Sequence, residues 1–170
     1  MKRIFVLRHA KSSWKVSGVP DHDRPLAPRG RRAGKAIARH LLEHGIEPEL
    51  VLCSTARRAR ETLDRLEPAL RASVVRFEPE LYGAGAGTLL DRLRGVGDEV
   101  GSVLLIGHNP GMQMLALDLA RTTDPFHEIE AKFPTAGLAT LEFAGPGWRA
   151  LAPGSAELTA FVRPRDLERR

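Results

Sequence analysis

An imidazole nitrogen can attack phosphorus, and a guanidinium can grip two phosphate oxygens while keeping its charge at any working pH. The sequence sets these groups at matching places. Arg8-His9-Ala10 closes the apolar run Arg3–Leu7. Ser54-Thr55-Ala56-Arg57-Arg58 follows the run Leu50–Cys53, and Gly107-His108-Asn109-Pro110-Gly111 follows Ser102–Ile106. If the three runs are parallel strands of one sheet, two histidines and at least two arginines gather on one rim. That rim, outside the carboxyl ends of the strands, is where open α/β sheets bind ligands. Such a set could move a phosphoryl group through a covalent phosphohistidine, dividing one difficult displacement into two steps. The arginines would stabilise charge on the equatorial oxygens, a task often given to magnesium, so this chemistry requires no metal.

The elements that must position these groups can be read from hydrophobic periodicity. Arg3–Leu7 reads as a buried strand. Gly30–His44 has helical spacing, with Ala33, Ile37, Leu41 and His44 on one side, and Gly45 stops it. Leu50–Cys53 is a second strand, and Ser54 is the expected N-cap of a helix running to about Leu66 before Pro68. The amides of that first turn would add partial positive charge near the phosphate. Val74–Phe77 reads as a third strand, Thr88–Val96 as a helix capped by Thr88, Ser102–Ile106 as a fourth strand and Gly111–Ala120 as a fourth helix. Leu138–Phe143, the turn Gly145-Pro146-Gly147 and Trp148–Leu151 predict a hairpin. The expected fold is α/β: a three-layer sandwich with a mostly parallel sheet between helices and an antiparallel C-terminal edge. Residues 1–170 read as a single domain without a large cap insertion, so the pocket is expected to be open.

Composition excludes several classes. Hydrophobic residues at 42% and charged residues at 28% describe a globular chain, not a disordered or fibrous one. A single cysteine, Cys53, permits no intramolecular disulfide, and its apolar run points to a buried strand residue. The apolar stretch after Met1-Lys2-Arg3 ends at Arg8-His9, too short for a secretory segment, and no run is long enough to cross a bilayer. A cytoplasmic protein is expected. The net charge of +5 is spread along the chain with only Tyr82, Trp14 and Trp148 to stack on bases. Nucleic acid is therefore not an expected partner, and a phosphate-bearing one is.

Lesser signals have plainer readings. Gly83-Ala84-Gly85-Ala86-Gly87 is a loop rather than a dinucleotide fingerprint. His22, between Asp21 and Asp23, reads as a polar surface loop, and His40 and His44 as helix histidines without a third metal ligand. Thr122–Lys132, with His127, reads as a connector or a loop over the site. Arg24 is read either as ordering the pocket or as a structural ion pair. Lys11, Ser12, Ser13 and Trp14 are candidates for a substrate rim.

Taken in order, these segments resemble the histidine phosphatase superfamily, and more narrowly its SixA-type phosphohistidine phosphatases. The resemblance rests on Leu7-Arg8-His9-Ala10-Lys11-Ser12-Ser13-Trp14, Asp23-Arg24-Pro25-Leu26 with Arg29-Gly30, and Ser54 through Arg58 to Thr62. It continues through Ile106-Gly107-His108-Asn109-Pro110 and Phe133-Pro134-Thr135-Ala136-Gly137. It implies His9 as nucleophile, Arg8 and Arg58 as phosphate ligands and His108 as the second phosphate-binding histidine. Ser54 is placed at the pocket mouth, with Lys11 and Asn109 among the substrate contacts. Arg57 and Arg60 point away from Arg58 on a helix and read as solvated surface.

Larger members of that superfamily carry an acid that protonates an alcohol leaving group. Here the segment after the third strand, Glu78-Pro79-Glu80-Leu81-Tyr82-Gly83-Ala84-Gly85, has no close match, and Glu80 is the nearest candidate for a general acid. A phosphoramidate needs such an acid less, because imidazole is a better leaving group than an alkoxide. The expected activity is hydrolysis of phosphohistidine on a protein or peptide, with no cofactor. A histidine-containing phosphocarrier is a candidate partner. The alternative is a phosphoesterase or phosphomutase of the same superfamily acting on a small phosphorylated metabolite. A basic phosphate-binding protein without turnover is a third class, disfavoured by the intact set Arg8, His9, Arg58 and His108.

Overall fold

The computed structural model describes residues 1–121 and 124–168. Six strands form one sheet: β1 (Lys2–Arg8), β2 (Leu50–Ser54), β3 (Val74–Glu78), β4 (Ser102–Gly107), β5 (Leu138–Phe143) and β6 (Glu157–Val162). Their spatial order is β3-β2-β4-β1-β5-β6. The first four pair in parallel, and β5 and β6 add an antiparallel edge. The α/β architecture expected from the sequence is present.

Alternation along the central strands builds two core layers. Ile4 and Val6 of β1, with Val103 and Leu105 of β4, face one layer; Phe5 and Leu7, with Leu104 and Ile106, face the other. Strands buried on both faces read as continuous apolar runs, which is why these segments were plain in the sequence. Helices α1 (Pro28–Glu43) and α2 (Arg57–Leu66) cover the second layer through Ile37, Ala38, Leu41, Ala59, Leu63 and Leu66, joined by the short α6 (Pro164–Leu167). Helices α3 (Ala86–Arg94), α4 (Gly111–Leu119) and α5 (Asp124–Ala131) cover the first.

This layering places the site. The chain leaves β1 for a helix on one face, and leaves the adjacent β4 for a helix on the other. A crevice opens where neighbouring connections part in this way, and ligands of open α/β sheets bind there. Arg8 and Gly107 are register partners at the two strand ends, and the His9 amide donates to the Gly107 carbonyl. His9 and His108 therefore enter the crevice from opposite sides.

Several boundaries differ from expectation. Ser54 ends β2 and is not a helix cap; its hydroxyl accepts the Ala56 amide and meets His108 Nε2, and α2 starts at Arg57 with Ala56 in the capping position. Helix α3 starts at Ala86 after Gly85, so Thr88 lies inside it. The C-terminal hairpin pairs β5 with Glu157–Val162, not with Trp148–Leu151. Trp148–Ala150 is a 3-10 turn whose fully buried indole donates to the Val100 carbonyl, a contact an edge strand could not provide. Part of Thr122–Lys132 is helix α5, whereas Thr122 and Thr123 lie outside the described residues. Cys53 is buried as expected, and burial pushes its thiol up to about 12.

Candidate active site

The segment after β1 is fixed before it does any chemistry. The Ala10 amide donates to Thr62 Oγ1 of α2, and the Thr62 hydroxyl donates to the Arg58 carbonyl one turn earlier. On the other side the Ala136 amide donates to the carbonyls of Arg8 and His9. Further along, the Ala27 amide donates to the Lys11 carbonyl, and Gly30 packs so closely on that oxygen that a Cβ would lie 2.1 Å from it. Glycine at position 30 thus lets the first turn of α1 close against the nucleophile segment.

His9 is only 7% exposed, and its tautomer follows from its partners. Nδ1 lies 2.7 Å from the Ala10 carbonyl, which can only accept, so Nδ1 carries the proton. Nε2 lies 3.4 Å from Arg58 Nε, which can only donate, so Nε2 presents its lone pair. Burial, reinforced by His108, Arg58 and Arg8, pulls the His9 pKa down to about 3 against the opposing hydrogen bond to Ala10. The imidazole is therefore neutral at physiological pH with Nε2 free to attack.

His108 lies across the crevice, ring centroids 5.1 Å apart and 52° inclined. Its Nε2 lies 2.8 Å from Ser54 Oγ, and burial together with Arg58 lowers its pKa to about 4. Ser54 is fully buried at the base of the crevice, so the expected position at the mouth is corrected. Arg8 Nη1 donates to the Phe133 carbonyl, and Nη2 makes no hydrogen bond among the described residues. Asn109 Nδ2 donates to that same carbonyl and its Oδ1 accepts the Gln113 amide, so both ends of the amide bind the protein. Lys11 is exposed beside the site.

Arg58 is 6% exposed and held by Asp21: Nη1 donates to its carbonyl at 2.7 Å and Nη2 to its carboxylate at 3.0 Å. The Tyr82 hydroxyl donates to the same carboxylate, and Arg24 Nε does so from a buried position. The Tyr82 bond, with Arg58 and Arg24, holds the Asp21 carboxyl well below the usual carboxylate range. The Tyr82 ring stands edge-on to His108 and His22, with centroids 5.4 and 5.0 Å away. His22 Nε2 in turn lies 2.9 Å from Thr55 Oγ1.

Asp21, His22 and Tyr82 were missed as site residues. A charged run at 21–24 has the signature of solvated surface, and nothing local reveals a partner 61 residues away. The chain's single tyrosine, just after a strand, was the one available signal. Arg24 serves as the ion-pair partner of Asp21 and stacks 3.5 Å over the exposed Trp14 ring. Arg57 and Arg60 are exposed, as is Glu80, which makes no hydrogen bond or ion pair among the described residues. Among the described residues, no three His, Cys, Asp or Glu side chains form a cluster able to hold a metal ion.

The chain is similar to known proteins over most of its length. The sequence profile of the histidine phosphatase superfamily (branch 1) matches residues 4–94. An uncharacterised protein of Mycobacterium tuberculosis strain H37Rv is 42% identical over 163 residues, covering 94% of this chain and 100% of that one. The phosphohistidine phosphatase SixA of Escherichia coli K12 is 30% identical over 150 residues, covering 85% and 89% of the two chains. A proposed SixA phosphohistidine phosphatase from Nakamurella multipartitia superposes with a TM-score of 0.85 at 32% identity, covering 96% of each chain.

Proposed function

The chain belongs to the histidine phosphatase superfamily, and on that premise we propose that it hydrolyses phosphohistidine on a protein or peptide, with His9 as nucleophile. The observation that carries the mechanism is the His9 tautomer: Nδ1 tied to Ala10, Nε2 unprotonated beside Arg58. Nε2 attacks phosphorus, the bond from phosphorus to the substrate imidazole breaks, and that imidazole leaves with its electron pair and takes a proton from solvent, which the attacking water of the next step returns. Water then attacks the phosphoryl group on His9, releasing inorganic phosphate and restoring the neutral ring. Arg58, Nη2 of Arg8 and His108 face the equatorial oxygens, where charge accumulates.

Two observations favour phosphohistidine over a phosphoester. The SixA-type relatives supply the analogy. Among the described residues the pocket also holds no carboxylic acid ready to give a proton: Glu80 is exposed, and the Asp21 carboxyl is held ionised by Tyr82, Arg58 and Arg24. Expulsion of an alkoxide depends on such an acid more than expulsion of imidazole does.

The test is phosphate release, with excess EDTA, from a phosphohistidine peptide and a matched phosphoserine peptide. Release from phosphohistidine alone, reduced at least ~10³-fold in a folded His9→Ala variant, is the expected result. Release from both peptides would keep the mechanism and move the function to a general phosphatase. Turnover that survives His9→Ala would overturn the nucleophile, and loss of turnover in EDTA would overturn metal independence.

A further inference from the structure

Beside the phosphate pocket lies a second depression of about 550 Å³, between the first turns of α1, the end of α5 and α6. It shares its near wall with the candidate active site. Lys11 stands two residues beyond His9, and Pro134 and Thr135 precede Ala136, which is bonded to the Arg8 and His9 carbonyls. Sheet register puts both on one rim. Leu7 at the end of β1 pairs with Leu138 at the start of β5, and Leu138 pairs with Val162 at the end of β6. The cleft thus begins where the nucleophile segment ends and runs sideways by two strands.

Its charge is one-sided. Arg163 is balanced by Asp166 and Glu128. Lys11, Arg29, Lys132 and Arg165 also line the cleft, and no carboxylate among the described residues lies within ion-pair distance of any of them. Glu168 is the one remaining acid in the wall. Four unpaired cations around one concavity make a site for an anion larger than the phosphoryl group, which the His9 pocket already takes.

Resting on the phosphohistidine reading above, we propose that this cleft holds an acidic segment of the phosphorylated protein substrate. Two strand spacings are roughly 10 Å, the length of about three extended residues. The acidic side chains therefore belong about three residues from the phosphohistidine, or one to two turns away on a helix. Exposed charge pairs are individually weak, so the cleft selects substrates through KM and leaves the chemical step to His9.

The experiment uses short peptides with one central phosphohistidine, carrying Glu, Gln or Lys at the flanking positions about three residues away, with free phosphohistidine as control for the reaction. The expected order of kcat/KM is Glu over Gln over Lys, each step about threefold to tenfold, seated in KM and shrinking as salt is raised. In a Lys132→Glu, Arg165→Glu double variant, checked for folding by its melting temperature, the order reverses. Equal kcat/KM for all three peptides in the wild type would overturn the cleft while the phosphohistidine reading stands. An unreversed order in the folded double variant would overturn it also. No release from any peptide or from free phosphohistidine would overturn the reading and this inference with it.

Discussion

Thr62→Val asks how firmly the nucleophile segment is held. Thr62 is 1% exposed, and its hydroxyl lies between the Ala10 amide at 3.0 Å and the Arg58 carbonyl at 2.7 Å. Valine keeps the shape and removes the oxygen. The Arg58 carbonyl is not stranded, because it sits within α2, where the helical ladder also uses it. The Ala10 amide is in a fully buried residue and has no other acceptor among the described residues. The cost is thus that of one stranded donor, about 1–3 kcal/mol. At roughly 2–4 °C per kcal/mol for a chain of this size, the melting temperature should fall by about 2–12 °C. Because Ala10 accepts from His9 Nδ1, the displaced segment should also lower kcat, while Thr62→Ser should restore most of both. Differential scanning calorimetry with steady-state phosphate release reads the two effects. A Thr62→Val protein melting with the wild type would refute the claim that Thr62 anchors the nucleophile.

Two further outcomes follow from the same geometry. His9 and His108, with pKa values lowered to about 3 and about 4, should show neutral-ring nitrogen shifts by NMR throughout pH 5–8, with the proton of His9 on Nδ1. Both values lie below the 6.5 of a free imidazole, so the stability these neutral rings contribute is complete above pH 6.5 and is lost progressively as pH falls towards 3; protonation of either ring above pH 6 in the free enzyme would contradict this. Gly30→Ala should destabilise by about 1–3 kcal/mol through overpacking on Lys11, whereas Gly87→Ala, in open space within α3, should stabilise by about 0.4–1 kcal/mol; equal melting shifts would show that contact with Lys11 does not select glycine.

The fold was legible where burial writes a pattern into the chain. Ile4 through Leu7 and Val103 through Ile106 are apolar without interruption because both faces of their strands are covered. Once those strands are parallel, the groups that follow them must share a rim, so Arg8, His9, Arg58 and His108 could be grouped without coordinates. Side-chain hydrogen bonds across loops leave no such trace. Ser54 has the composition of a cap but its hydroxyl meets His108, and a serine reads the same in either role. Trp148 falls in a stretch that alternates well enough for a strand, yet the indole N–H needs an acceptor and takes one from Val100. Edge strand β3 runs mostly exposed, so its apolar residues, unlike those of β1, say little about which face is covered.

Asp21 explains how one pocket holds two neutral histidines beside two arginines. Burial disfavours every charge in the crevice, but its effect depends on what each group has for a partner. Arg58 has the Asp21 carboxylate at 3.0 Å and the Asp21 carbonyl at 2.7 Å, so its charge is compensated where it stands. Among the described residues no carboxylate lies within ion-pair distance of His9 or His108, and desolvation with the nearby guanidiniums outweighs the Ala10 hydrogen bond at His9 and the Asp21 charge at His108, so both rings stay neutral. Asp21 is itself half exposed, which keeps the cost of its own charge low. The turn that carries it looks like surface because part of it is surface. The same half-solvated carboxylate holds a guanidinium within 3.4 Å of the nitrogen that must stay unprotonated to attack phosphorus.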